Sequence, residues 1–267
     1  MYLDNEENIL QSIHLDISSY NCELLYSNNA FSRKIYKCLK QSNEMKNDNG
    51  HDAEPPDFYS DDLNIMFDVA RVNDSEIKKS YNPTFIYERK MQQEVESSWI
   101  RQEIPDVKNN LMCIDPEWGS DKIHKMNHYL KNMKRVIAEH LSSKGHPNKI
   151  TDIWLRKHPN ISRKGLLIYD ETENYFQGIC VPHPSGEWTF ISDSTKPIIF
   201  YKPWMDKQIV EPIYKSDCDF LIWYMPYKWC GFFTQAVDKY FPHIVILDTR
   251  YPRNDYIDYT YSMFTRT

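Results

Sequence analysis

The sequence is poor in glycine. Seven glycines in 267 residues is about 3%, against roughly 7% in ordinary proteins. Neither GxGxxG nor GxxxxGK[ST] occurs. Without such a loop no backbone N–H groups cradle a phosphate, so the familiar modes of dinucleotide binding and P-loop hydrolysis are excluded. No serine lies in a GxSxG elbow, which disfavours the α/β-hydrolase mechanism. The six cysteines, Cys22, Cys38, Cys113, Cys180, Cys218 and Cys230, form no CxxC pair. Zinc ribbons and fingers need that spacing. Most of these cysteines sit inside apolar runs, the pattern of buried, reduced thiols in a cytosolic protein.

Long apolar runs are missing too. No window approaches the roughly 18 apolar residues that span a bilayer, and the N-terminal MYLDNEENILQ is acidic, without an apolar signal segment. The expectation is a soluble, cytoplasmic protein that does not engage a membrane. Nor is there an excess of positive charge: the net charge is −6 and the sequence pI about 5.9. That excludes non-specific coating of DNA or anionic lipid, but leaves room for a nuclease with a local basic groove.

What the chain does have is core material. Apolar residues make up 41%, with 19 Tyr, 12 Phe and 7 Trp. Helical spacing places Ile9, Leu10 and Ile13 on one face of 3–15, and Phe31, Ile35, Cys38 and Leu39 on one face of 29–41. The stretch QSNEMKNDNGHDAEPPDFYSDD that follows is polar and broken by Pro55-Pro56, which predicts a linker or long surface loop. The expected organisation is a helical N-terminal segment over 1–41, a linker over 42–60, and a core domain over 61–267 with a tyrosine-rich tail.

Beyond the linker, apolar strands alternate with amphipathic helices. Strands are predicted at 63–72, 111–114, 165–169, 220–225 and 244–247, with a meander over 175–181, 187–192 and 198–200. Helices are predicted at 83–103, 120–144, 150–157, 203–214 and 229–240. Nearly continuous apolar strands imply a sheet covered by helices on both faces. The predicted class is α/β with a mostly parallel sheet.

Two sets of residues could carry chemistry. Three apolar runs end in acids: LMCIDPE at Asp115, LLIYDETE at Asp170 and Glu171, and IVILDTR at Asp248 beside Arg250; a fourth, FLIWYMPYK, ends at Lys228. In a parallel sheet all strand C-termini open on one edge, where ligands bind. Carboxylates gathered there repel one another, and Mg²⁺ relieves that repulsion through oxygen ligands while keeping several waters. Lys228 and Arg250 would then meet a phosphate or developing negative charge. The structural alternative is that such acids cap the next helix, as Asp115 before Pro116 and Ser120 could do.

The second set is Asp68 in IMFDVARV, followed by Glu76-Ile77-Lys78. Nucleases of the restriction-endonuclease-like class use an Asp on one strand and Glu-x-Lys on the next, because residues i and i+2 of a strand share a face. The chain also contains Glu88-Arg89-Lys90 and Asp106-Val107-Lys108, so such triplets arise here without special meaning, and a half-buried strand with a solvated turn is the structural alternative. His124 and His128 have the i, i+4 spacing of a two-histidine zinc site but lack the intervening glutamate and a third ligand.

The expected function is a Mg²⁺-dependent phosphoester hydrolase, most plausibly a nuclease acting on nucleic acid in a local groove. Asp170, Glu171, Asp248 and Asp115 are its expected ligands, with Asp68, Glu76 and Lys78 as a second placement. The rival is a non-catalytic interaction module of a bacterial defence or toxin–antitoxin assembly, docking a protein partner through its aromatic tail.

Overall fold

Strand alternation organises the protein. In IMFDVARV, residues 65, 67 and 69 turn to one side and 68, 70 and 72 to the other, so a strand with apolar residues at nearly every position requires cover on both faces. The computed structural model describes residues 6–20, 30–41, 46–47, 56–74, 126–141, 156–172, 176–182, 188–190, 198–226, 242–251 and 265–266. Within these, helices α1 (Glu6–Tyr20) and α2 (Ala30–Lys40) precede strands β1 (Lys46–Asn47), β2 (Phe58–Ser60) and β3 (Ile65–Val72). Helix α3 (Met126–His140) and strand β4 (Arg163–Asp170) follow. Then come β5 (Phe176–Pro182), β6 (Trp188–Phe190), β7 (Ile198–Phe200), a 3₁₀ turn at Pro203–Met205 and α4 (Lys207–Lys215). Strands β8 (Phe220–Tyr224), β9 (Ile244–Asp248) and β10 (Thr265–Arg266) complete the set.

The main sheet has six strands in the order β1-β2-β3-β4-β8-β9. Its centre is parallel: β3 pairs with β4, and β4 with β8. Both flanks are antiparallel, with β1 on β2, β2 on β3 and β9 on β8. The α/β class therefore holds, but the mostly parallel sheet does not: the sheet is mixed. The reason lies at its borders. A four-residue turn, Asp61–Asn64, folds β2 back beside β3, with Asn64 in the left-handed region at φ 57°. Asn tolerates that conformation better than most residues, and its side chain is tied to Ser162 in both directions, at 2.9 and 2.7 Å. A smaller sheet joins β5 to β6, β7 and β10, all antiparallel, as a meander would require.

One face of the main sheet is covered by α1 and α2. Ile9, Ile13, Ile17, Ile35 and Leu39 share a core with Phe58, Phe67, Phe220, Ile222 and Ile246. Helices α1 and α2 thus pack into the sheet's own core. Residues 46–47 and 58–60, inside the stretch read as linker, supply two strands of that sheet. On the other face, α3 and α4 bring Tyr129, Met133, Ile137, Ile209 and Ile213 onto Ala70, Leu166, Ile168, Trp223 and Leu247. Each such side chain contributes about 1.5–3 kcal/mol relative to leaving it in water. Asp206 caps α4, accepting from Gln208 N at 2.8 Å and from the Tyr201 hydroxyl at 2.6 Å.

The expected helices at 83–103 and 229–240 and the strand at 111–114 lie outside the described residues. Among those described, no helix is long and apolar enough to cross a membrane.

Candidate functional site

The sheet decides which carboxylates can meet. Asp170 is the last residue of β4, in register with Val72 at the end of β3. Asp248 is in register with Phe220, which opens β8, and Phe220 is in register with Gly165 near the start of β4. Because β9 runs antiparallel, its C-terminus lies at the opposite edge of the sheet. Five residues of strand separate the two rows, about 16 Å at 3.3 Å per residue. The two acids also turn to opposite faces, Asp170 to the α3 side with Trp223 and Asp248 to the α2 side with Phe220. Asp170 and Asp248 therefore cannot share one ion.

Each is, moreover, engaged by its own neighbours. Asp170 is fully buried; one oxygen accepts from Thr172 N at 3.1 Å and from Thr172 Oγ1 at 2.5 Å. The other accepts from the Tyr129 hydroxyl at 2.7 Å and from Trp223 Nε1 at 3.3 Å. Four donors occupy the roughly four lone-pair positions a carboxylate offers. Burial and the adjacent Asp170 charge push the Tyr129 hydroxyl well above its ordinary range, so it stays a donor. Asp248 is gripped by Arg250, whose Nε lies 2.8 Å from Oδ1 and whose Nη2 lies 2.6 Å from Oδ2. Glu171 lies 3.5 Å from the Arg71 guanidinium. Asp115, Lys228, Glu76 and Lys78 lie outside the described residues.

The second placement is where titratable groups converge. Asp68 sits in the middle of β3, facing α3, and its side chain is 10% exposed. The β2–β3 register, Phe58 opposite Phe67, brings Asp57 beside it one step earlier. Asp57 Oδ2 accepts from Val69 N at 2.7 Å, and the Asp57 and Asp68 side chains hydrogen-bond to each other. From above, His140 at the end of α3 places Nδ1 2.6 Å from Asp68 Oδ2. Tyr129 and His140 are eleven residues, about three turns, apart, so one helix face serves both Asp170 and Asp68.

The electrostatics divide the pair. Burial, together with the hydrogen bond to Asp68 and its charge, pushes the Asp57 carboxyl up to about 9. Burial alone would raise Asp68 as well, but hydrogen bonds from His140 and Asp57 and the His140 charge outweigh it and hold Asp68 below the usual carboxylate range. The two carboxyls titrate as a pair that keeps one proton at neutral pH, with Asp57 pushed toward the protonated form and Asp68 toward the ionised one. With Asp68 ionised, His140 Nδ1–H donates to it. Among the described residues no group of three or more His, Cys, Asp or Glu side chains is arranged to hold a metal ion.

Sequence reading singled out Asp68 but missed Asp57 and His140. Asp57 fell in the presumed linker, although DFYS-DDLN-IMFD has the form of two short strands around a polar turn. His140 carried no local signal, because its partner lies 72 residues away. Comparison with known protein families, with curated proteins and with solved structures gave no match.

Proposed function

We propose that the chain is a Mg²⁺-dependent phosphoester hydrolase, acting on nucleic acid in the cytoplasm, with its centre at Asp68 rather than at the strand ends. The observation that carries the reading is the Asp57–Asp68 pair. Two carboxylates in contact need a positive charge between them, and here a proton supplies it. A divalent cation can take that place. Mg²⁺ commonly binds through only one or two carboxylates, keeping its waters and adding the substrate's phosphate oxygens, so two acids suffice. His140 would fix the orientation of the ligating Asp68, as outer partners of metal ligands do. Bound there, the cation would polarise the phosphoryl group and lower the pKa of an attacking water. Glu76 and Lys78 follow in the chain as further candidates for that water.

The test is hydrolysis of single- and double-stranded DNA, RNA and a bis-aryl phosphodiester, with and without Mg²⁺ or Mn²⁺. Asp68→Asn should lower a metal-dependent rate about a hundredfold or more, since Lewis-acid stabilisation is worth several kcal/mol. Asp248→Asn should leave chemistry intact. Absence of hydrolysis with every substrate and cation would favour the rival, the non-catalytic module. Its own support is that Asp170 and Asp248 are taken up by internal donors.

A further inference from the structure

On the α2 side of the sheet, the face opposite Asp68, a cleft of about 160 Å³ opens between α2 and the starts of β3 and β4. Phe31, Ile35 and Leu63 form its apolar wall, with Asn64 beside them, while Lys34, Arg163 and Asp62 supply charge. Arg163 stacks on Phe31, its guanidinium carbon 4.1 Å from the ring centroid. That stacking holds the guanidinium plane but satisfies none of its N–H donors. Arg163 Nη1 is buried and has no hydrogen-bond partner among the described residues. Arginine is always charged in proteins, and a buried donor on a charged group left unmade is costly. Neighbouring Arg250 shows the contrast: it too lies over Phe31, at 4.9 Å, but its Nε and Nη2 donate to Asp248.

We propose that this cleft binds inorganic phosphate, in a form that still carries a proton. Arg163 in the wall and Lys34 at the exposed rim give the cleft two positive charges. The volume is below the roughly 300–1,000 Å³ of sites that enclose drug-sized ligands, so it matches a small anion or one end of a larger ligand. Asp62 determines which anion. A carboxylate in the lining repels any fully deprotonated oxyanion, but hydrogen phosphate carries a proton that it can donate to Asp62 while its other oxygens accept from Arg163. Sulfate at neutral pH has no such proton. Phosphate is therefore selected over sulfate of equal size.

The experiment is calorimetric titration of the full chain with inorganic phosphate, and separately with sulfate and acetate, at constant ionic strength near neutral pH. The expected result is saturable binding of phosphate, with sulfate and acetate at least about tenfold weaker. Lys34→Gln, at an exposed position that leaves the fold intact, and Arg163→Gln should each weaken phosphate about tenfold or more, the usual worth of a hydrogen bond to a charged group. Asp62→Asn should bring sulfate up to the level of phosphate. Asp68→Asn should bind phosphate as the wild type does, so the result does not depend on the hydrolase reading. Absence of saturable phosphate binding, sulfate binding as tightly as phosphate in the wild type, or unchanged affinity in Lys34→Gln would each overturn the proposal.

Discussion

His140 Nδ1 lies 2.6 Å from Asp68 Oδ2, so the C-terminal end of α3 is fastened to the middle of β3 through a carboxylate that also bonds Asp57. One proton and one negative charge are confined between two strands and a helix. Several consequences of that confinement can be measured.

The first is a pH dependence of stability. Asp57 has a folded pKa of about 9 against an ordinary value of 3.8. A carboxyl whose pKa is raised by folding contributes stability that is complete below the unfolded pKa. That contribution drains away as pH rises toward the folded value, because the folded state then holds a proton the unfolded state has lost. Asp68 is shifted the other way, so its contribution is lost only as pH falls below the usual carboxylate range. Between roughly pH 4 and 9 the wild type should therefore lose stability relative to Asp57→Asn, which mimics the protonated form throughout. Urea unfolding of both proteins across that window measures the difference; parallel curves would show that Asp57 is not held protonated.

Asp170→Asn should destabilise the protein and leave any response to Mg²⁺ unchanged. Four donors converge on this carboxylate, and an amide would turn one acceptor into a donor facing donors. A loss of about 1–3 kcal/mol is expected for the donors left unsatisfied. Denaturant midpoints with and without Mg²⁺ separate the two effects.

Gly165 on β4 is in register with Phe220 on β8, whose ring lies over it. A Cβ there would meet the Phe220 ring within 2.2 to 2.6 Å. Phe220 is itself fully buried and packed edge-on against Phe31 and Phe67, so the ring has little freedom to retreat. Gly165→Ala should cost about 1–3 kcal/mol by overpacking, read as a lowered midpoint in urea.

Removing residues 1–41 should not leave a folded remainder. Ile9, Ile13, Ile17, Ile35 and Leu39 cover Phe67, Phe220, Ile222 and Ile246, and their loss would expose an apolar face large enough to drive association. A fragment from Ser42 onward should bind a hydrophobic dye and aggregate, whereas a fragment that stays monomeric with a sharp thermal transition would show that the helices are dispensable.

The parts of the fold that were legible in the sequence are those written in short-range periodicity. The i, i+3, i+4 spacing in 126–140 and the apolar runs at 65–72, 163–170, 220–224 and 244–248 identify themselves without reference to anything distant. Strand direction is not written that way. Nothing in IVILD states that it runs against FLIWY, and that reversal moved Asp248 to the far edge. The short strand at 58–60 escaped notice because only Phe58 and Ser60 face inward and two prolines precede it. The candidate site suffered from the same limit. Asp68 stood out as an acid within an apolar run, but its partners, Asp57 and His140, are supplied by a hairpin register and a helix 72 residues away.

The central claim is that the Asp57–Asp68 pair exchanges its proton for a divalent cation, and the most direct test counts that proton. Mg²⁺ should be titrated calorimetrically into the full chain near neutral pH, in buffers of different ionisation enthalpy, so that proton release is obtained from the buffer dependence of the heat. Because the Asp57–Asp68 pair keeps a proton near neutral pH and ligands must be deprotonated to bind, the account predicts saturable binding with release of about one proton. In Asp57→Asn that release should vanish. Absence of Mg²⁺ binding at millimolar concentration, or binding that releases no proton from the wild type, would contradict it.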